Sequence, residues 1–502
     1  MTNEQFSAYN EKDILRDSLN KGGDKVMSSM ITTTYTFVPG AVDSTYLSLV
    51  KFLEEVNQLD ALRNAFQLYT PYFLISYGNV YESSFTKKKT SKIEKPDTNV
   101  KSPEINYINR YDKLFQCGAK LFLDSGGYQI SMGRIPESEI SFYIPKYHNF
   151  VKYLESKLGE NFHTFFYLDA IVGKEGKLEH ESVVRHWCFQ SLRHLIEESG
   201  IVQQKNIWKK FNFVMHTTSI PRYYMWKDFM NYLIQNDAIP EKYSIGGLVA
   251  GGSRYKDSQI LHWSYGLLFL LNHFKERGVP RDYYRQISFH VLGLVEISGV
   301  TSLYLIGEYL RKRWGIGINF TYDGTSLLKK FLMGRMIGYI DPNTKCYRNV
   351  FFSSAKKQTA VNDKNTVEEY MLKILHHFWS AIMYEPVDSR SKYSIYEYSG
   401  GPFVKDVGLW LPFIEVVLQD EYREVYRPLA EKCIDAIFSN NWDVLFDFTH
   451  LIMSNQSINA KKQYIKQVTN TIKIIDKIME SSSGIDFLEE VLVPSLTVTE
   501  VW

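Results

Sequence analysis

The chain has 502 residues, enough for more than one domain, with a large one of barrel size and a smaller companion. Hydrophobic residues at 44% and charged residues at 23% allow a proper core, and the aromatic share of 15% is high. The formal charge of +2 excludes any global pull toward nucleic acid, so such binding would have to come from local patches.

In chain order, residues 1–30 are polar, carry no signal-peptide core and read as an N-terminal extension. From residue 31 to 345 a pattern recurs. Short apolar runs rich in β-formers close on polar or glycine-rich turns and alternate with stretches of helical periodicity. The first clear run is YFLISYGN near residue 72. A polar insertion follows at 84–104, where Lys87, Lys88 and Lys89 lead a basic patch that would equally suit a solvated loop. KLFLDSGGY then delivers Asp124, and TFFYLDA delivers Asp169. After the helical stretch ESVVRHWCFQSLRHLIEESG come NFVMHTT with His216, YSIGGLVAGG with Gly246 and Gly247, and ISFHVLGLVE with Leu292 and Gly293. The helix VTSLYLIGEYLRKRWG carries a second basic patch at Arg311, Lys312 and Arg313 and stops at Gly315. GINFTYDGTS ends the series on Asp323. Beyond 345 the periodicity is helical to the end, which predicts a separate helical domain over 346–502.

Runs spaced roughly 30 to 50 residues apart fit a strand, a loop and a helix per unit, and predict a (β/α)8 barrel. A doubly wound open sheet is the competing architecture, but it would concentrate glycines at one turn, whereas here polar residues close at least five strands. In a barrel Asp124, Asp169 and Asp323 converge on one mouth. Convergent carboxylates serve chemistry at a sugar anomeric carbon, one as nucleophile and another moving protons. A single such Asp is more often a loop or helix cap; three in register reverse that balance. Gly246 and Gly247 remove side chains where a strand ends, letting backbone approach a flat ligand.

The motifs DSGGYQ, YLDA, SIGGLVAGG, VLGLVE and FTYDGTS, in that order over roughly residues 70–335, resemble the tRNA-guanine transglycosylase superfamily. DSGGYQ is the most specific of them. The resemblance implies Asp323 as the nucleophile that attacks C1′, Asp124 as the general acid/base, and Asp169 as acceptor for the guanine edge. It implies the Gly246, Gly247 and Leu248 backbone as receiver of the base carbonyl and 7-substituent, and Tyr128 and Leu292 as the walls of the base sandwich. Ser125, Gly126, His216 and Gly293, within or beside these motifs, complete the base-binding set.

Two departures matter. Relatives acting on tRNA usually carry a CxCxxC cluster and a later His for structural zinc, whereas IDPNTKCYRNVFFSS here has only Cys346. Cys117, Cys188 and Cys433 are distant and form no CxxC pair, so no zinc and no other cofactor is expected. The other departure is His216, which stands where the family usually has Gln. Together these features favour the DNA-directed branch, in which guanine in DNA is exchanged for a 7-deazaguanine that is substrate rather than cofactor. The alternatives are a tRNA-directed enzyme, a non-catalytic nucleic-acid-binding subunit and a carbohydrate-acting barrel. Lys87, Lys88, Lys89, Arg311 and Arg313 are the candidate nucleic-acid contacts, and a cytoplasmic location without a membrane role is expected, since the most apolar run, GLLFLLNHF, is too short to span a bilayer.

Overall fold

The structure is a computed structural model and describes residues 31–40, 43–85, 102–169, 181–216, 220–246, 260–294, 296–324, 337–350, 363–384 and 402–495. Eight strands form one all-parallel sheet: β1 (Thr34–Pro39), β2 (Tyr72–Ser76), β3 (Lys120–Asp124), β4 (Phe162–Phe166), β5 (Phe211–Met215), β6 (Lys242–Ile245), β7 (Gln286–Val291) and β8 (Gly317–Gly324). From β2 to β8 each strand pairs with the next in sequence, and β8 pairs on its other edge with β1, with Val38 opposite Asp323. A single parallel bridge from Gly40 to Leu74 brings β1 against β2. Helices intervene between the strands, so the molecule is a (β/α)8 barrel. Seven strands coincide with the apolar runs of the sequence. The eighth, β1, is signalled only by the alternation of TYTFVP.

Contacts across the lumen show which residues point inward. His290 on β7 packs against Phe122 on β3 and Phe166 on β4, strands that are not its neighbours in the sheet. On β8 the period of two puts Asn319, Thr321 and Asp323 on one face, while Phe320 and Tyr322 face the helices. Parallel strands end together, so the last residues of β3, β5, β6, β7 and β8 surround one mouth.

Helix Ile297–Tyr309 is buried all round from Val300 to Tyr309 rather than along one stripe. The reason is a second layer. Helix Pro402–Phe438 packs on its outer side and against β1, and helix Ile458–Glu480 packs on it and on helix Ser264–Glu276. Tyr322 donates from the barrel to Gln419, and the Arg423 guanidinium donates to the Tyr35 carbonyl. Phe413 is fully buried, with ring centroids 6.1 Å from Tyr46 and 5.1 Å from Phe66 on the first two barrel helices. The helical region therefore shares a core with the barrel. Its expected start near 346 falls inside a hairpin, β9 (Ile337–Ile340) and β10 (Tyr347–Val350). Among the described residues no helix is long and apolar enough to cross a membrane.

Truncating Phe413 to Ala should remove about 3–5 kcal/mol of stability, with barrel and helical region still unfolding in a single guanidinium transition. Two separated transitions would show that the helices form an independent unit.

Candidate active site

β3 ends on Asp124, beside Ser76 at the end of β2. The chain then turns sharply into helix Gly127–Ser131. Gly126 makes that turn at φ +83°, and a Cβ there would come within 2.6 Å of the Gly78 nitrogen, so only glycine fits. The Gly126 amide donates to Asp124 Oδ2 at 3.2 Å. The Ser76 hydroxyl has one proton and two claimants, Asp124 and Gln129 Oε1 at 3.3 Å.

Asp169 lies three residues past β4 with both oxygens engaged. The Ser125 hydroxyl donates to Oδ1 at 3.0 Å, and His216 Nε2, just past β5, lies 3.2 Å from Oδ2. The His216 side chain is buried and its ring stacks beside Trp226. Gly246 follows β6, and a Cβ on it would lie 2.9 Å from His216 Nε2 and 3.0 Å from Asp169 Oδ2. The absent side chain makes room for the His216–Asp169 pair as well as for any ligand. Gly247 and Leu248 lie outside the described residues.

β7 continues into Leu292, half-buried against the core, and Gly293 at φ +79°. Leu292 donates its amide to the Ile245 carbonyl at 3.0 Å, fixing this corner to β6. The Gly293 amide donates to Asp323 Oδ1 at 2.7 Å. This gives Gly293 a contact with the expected nucleophile, where the resemblance implied only the base. Tyr128, in the first turn after Gly126, is 57% exposed, leaving a ring face open. His290 was not among the expected residues. Its side chain is fully buried, with Nε2 3.5 Å from Asp323 Oδ1 and Nδ1 2.8 Å from Thr321 Oγ1. Its sequence signal was available, because a His two residues before a strand's closing Leu-Gly shares the inward face with Leu292.

The three carboxyls are not equivalent. Asp124 keeps partial solvent access, but the walls around it strip its hydration and push its pKa up to about 7. The Asp169 and Asp323 charges push in the same direction, while the Ser76 and Gly126 donors oppose it. Asp124 can therefore carry or release a proton near neutral pH, as an acid/base group must.

The basic residues are not gathered here. Arg311 lies 2.7 Å from the fully buried Glu308 and 3.1 Å from Glu431, and Lys312 lies 2.6 Å from Asp435. Arg313 is half exposed, over the Trp314 ring and 4.0 Å from Glu480. All three precede β8, at the end of the barrel opposite Asp323, and they anchor the outer helices. Lys87, Lys88 and Lys89 lie outside the described residues. A cavity of about 220 Å³ also opens at that opposite end, lined by Lys242, Gln286, Ser288 and Asn319 from the strand starts. Among the described residues no group of three or more His, Cys, Asp or Glu side chains is arranged to hold a metal. Cys117, Cys188 and Cys433 are buried, and Cys346 sits beside the β9–β10 turn.

The chain matches no protein-family model, and no curated protein matches it.

The raised Asp124 value fixes a sign. The folded state binds its proton more tightly than the unfolded chain, whose ordinary value is 3.8, so this group's contribution to stability falls as pH rises from about 4 to 7. Asp124→Asn should therefore gain stability over the parent at pH 8 and gain nothing at pH 4. Thermal melts across that range measure it. An equal effect at both pH values would mean that the carboxyl is ordinary.

Proposed function

We propose that this protein is a base-exchange transglycosylase that replaces guanine in DNA with a 7-deazaguanine through a covalent Asp323–sugar intermediate. The observation that carries the reading is the convergence on one barrel mouth of three carboxylates in three different settings. Asp323 accepts a backbone amide, Asp169 is held by Ser125 and His216, and Asp124 is poised to exchange a proton near pH 7.

In this mechanism the Asp323 carboxylate attacks C1′ and the C1′–N electron pair leaves with guanine, which takes its proton from Asp124. The incoming 7-deazaguanine returns a proton to Asp124 as its nitrogen attacks C1′, and the C1′–O pair goes back to Asp323. One glycosidic bond replaces another, so no energy source or redox cofactor is required. Asp169 suits the N1–H and N2–H₂ donors of the guanine edge, since a carboxylate only accepts. The open Tyr128 face offers stacking. The choice of DNA rests on the sequence, where the stretch that bears zinc ligands in tRNA-directed relatives has only Cys346. Reaching a paired guanine would require flipping it out, at a cost of about a few kcal/mol.

Exchange of radiolabelled guanine into duplex DNA, single-stranded DNA and a tRNA transcript tests the reading. Label should enter DNA and not tRNA, and Asp323→Asn should reduce it to background, because an amide forms no sugar ester. Label in tRNA alone would reassign the polymer, and full activity of Asp323→Asn would remove the nucleophile. Tyr128→Ala should weaken binding of the free 7-deazaguanine roughly 5- to 100-fold, as expected for a lost stacking contact. Its melting temperature should not change, because the ring is exposed. Unchanged affinity in a titration would take Tyr128 out of the site.

A further inference from the structure

We infer that His290 is a positioning residue that, together with the Gly293 amide, holds Asp323 by Oδ1 and so selects Oδ2 as the attacking oxygen. The inference rests on the reading of Asp323 as a nucleophile and adds to it a group that the motifs do not contain.

His290 lies on β7 opposite Thr321 of β8, and Asp323 is two residues further along the same inward face. The imidazole has no solvent access and is packed between Phe122 and Phe166, with ring centroids at 6.0 and 5.0 Å. Its Nδ1 is paired with the Thr321 hydroxyl at 2.8 Å. Its Nε2 has no hydrogen-bond partner and faces Asp323 Oδ1 at 3.5 Å, a few tenths of an ångström beyond a formed bond. Leaving a buried imidazole nitrogen unpaired is costly, and one nearby acceptor can relieve it.

Electrostatics selects the tautomer. If Nδ1 carried the proton, the bare Nε2 lone pair would face a carboxylate oxygen. If Thr321 donates to Nδ1, the proton sits on Nε2 and points at Oδ1. Catalytic hydrogen bonds are often long in the free enzyme and tighten with substrate bound. Two donors then converge on Oδ1, whereas among the described residues Oδ2 accepts no hydrogen bond.

This arrangement has a chemical consequence. When the Oδ2 electron pair bonds to C1′, the C1′–N pair leaves with the base and Oδ1 becomes the carbonyl oxygen of a neutral ester. When the incoming base attacks, the C1′–Oδ2 pair returns and negative charge spreads back onto Oδ1. Donors at Oδ1 stabilise the charged carboxylate more than the ester. Loss of His290 should therefore slow turnover and also shift the enzyme toward the covalent form, an effect that a packing defect alone would not produce.

Two measurements test this. In protein labelled with ¹⁵N-histidine, the His290 resonances, assigned by their loss in His290→Gln, should report a proton on Nε2. Its Nε2 shift should move in Asp323→Asn while Nδ1 stays close to its parent value. This arm uses no substrate, so it stands or falls independently of the transglycosylase reading. A proton on Nδ1, or an Nε2 resonance indifferent to Asp323→Asn, overturns the proposal. In the exchange assay, His290→Phe should lower kcat roughly 10- to 100-fold with KM for the base little changed. It should also raise the fraction of enzyme trapped as the denaturant-stable DNA adduct, and His290→Gln, which keeps a donor, should recover part of the rate. A fall in kcat and adduct together, in step with a lowered melting temperature, would make His290 a packing residue only. Absence of exchange in the parent protein would reject the transglycosylase reading and leave the resonance arm to decide the contact.

Discussion

Three carboxyls meet at one partly desolvated barrel mouth, and the arrangement of the site reflects how lost hydration, and after it mutual repulsion, is offset. Like charges close together in a partly desolvated space cannot all remain ionised without help. Asp323 receives the Gly293 amide, and Asp169 receives the Ser125 hydroxyl and faces His216. Asp124 accepts the Gly126 amide and competes for the Ser76 hydroxyl, yet the loss of hydration around it, reinforced by the Asp169 and Asp323 charges, raises its pKa to about 7. On the reading proposed above, that raised value suits Asp124 to carry a proton near neutral pH.

The glycines at the mouth serve the same end. Gly126 lets the chain pass within van der Waals contact of Gly78 and returns its amide to Asp124, and Gly246 clears space beside the His216–Asp169 pair. Larger residues at either position would push apart the groups whose closeness differentiates the three acids. The outer helices act more remotely. They bury the far sides of β1 and β8, through Tyr322 to Gln419 and Arg423 to the Tyr35 carbonyl, so the strand carrying Asp323 is held on both faces. If Asp323 acts as proposed, such support matters, since geometry off by an ångström is costly to a reacting group.

That second layer also accounts for the basic run at Arg311, Lys312 and Arg313. A cluster of cations on a helix is compatible with a phosphate-binding surface, but Arg311 and Lys312 face Glu308, Glu431 and Asp435, with Glu308 fully buried. The charges join the barrel to its cover. A charge run in a sequence does not show whether its counter-ions are phosphates or carboxylates from a segment more than a hundred residues away.

Sequence by itself determined the barrel and the identity of its mouth. Strand alternation, the polar residues closing each run and the spacing between runs are local properties, and parallel strands carry their ends to a common place. Asp124, Asp169, His216, Gly246, Gly293 and Asp323 were legible for that reason. The helical character of the last third was legible too, from periodicity alone. Tertiary structure decided what depends on distance between remote segments. It made the helical region an outer layer sharing the barrel core, and it assigned Gly126 as the residue that must be glycine at the turn. It turned Gly293 toward Asp323, and it brought His290 of β7 against Thr321 and Asp323 of β8. Strand register and lumen contacts set these relations, and neither is written in the local pattern of any one strand.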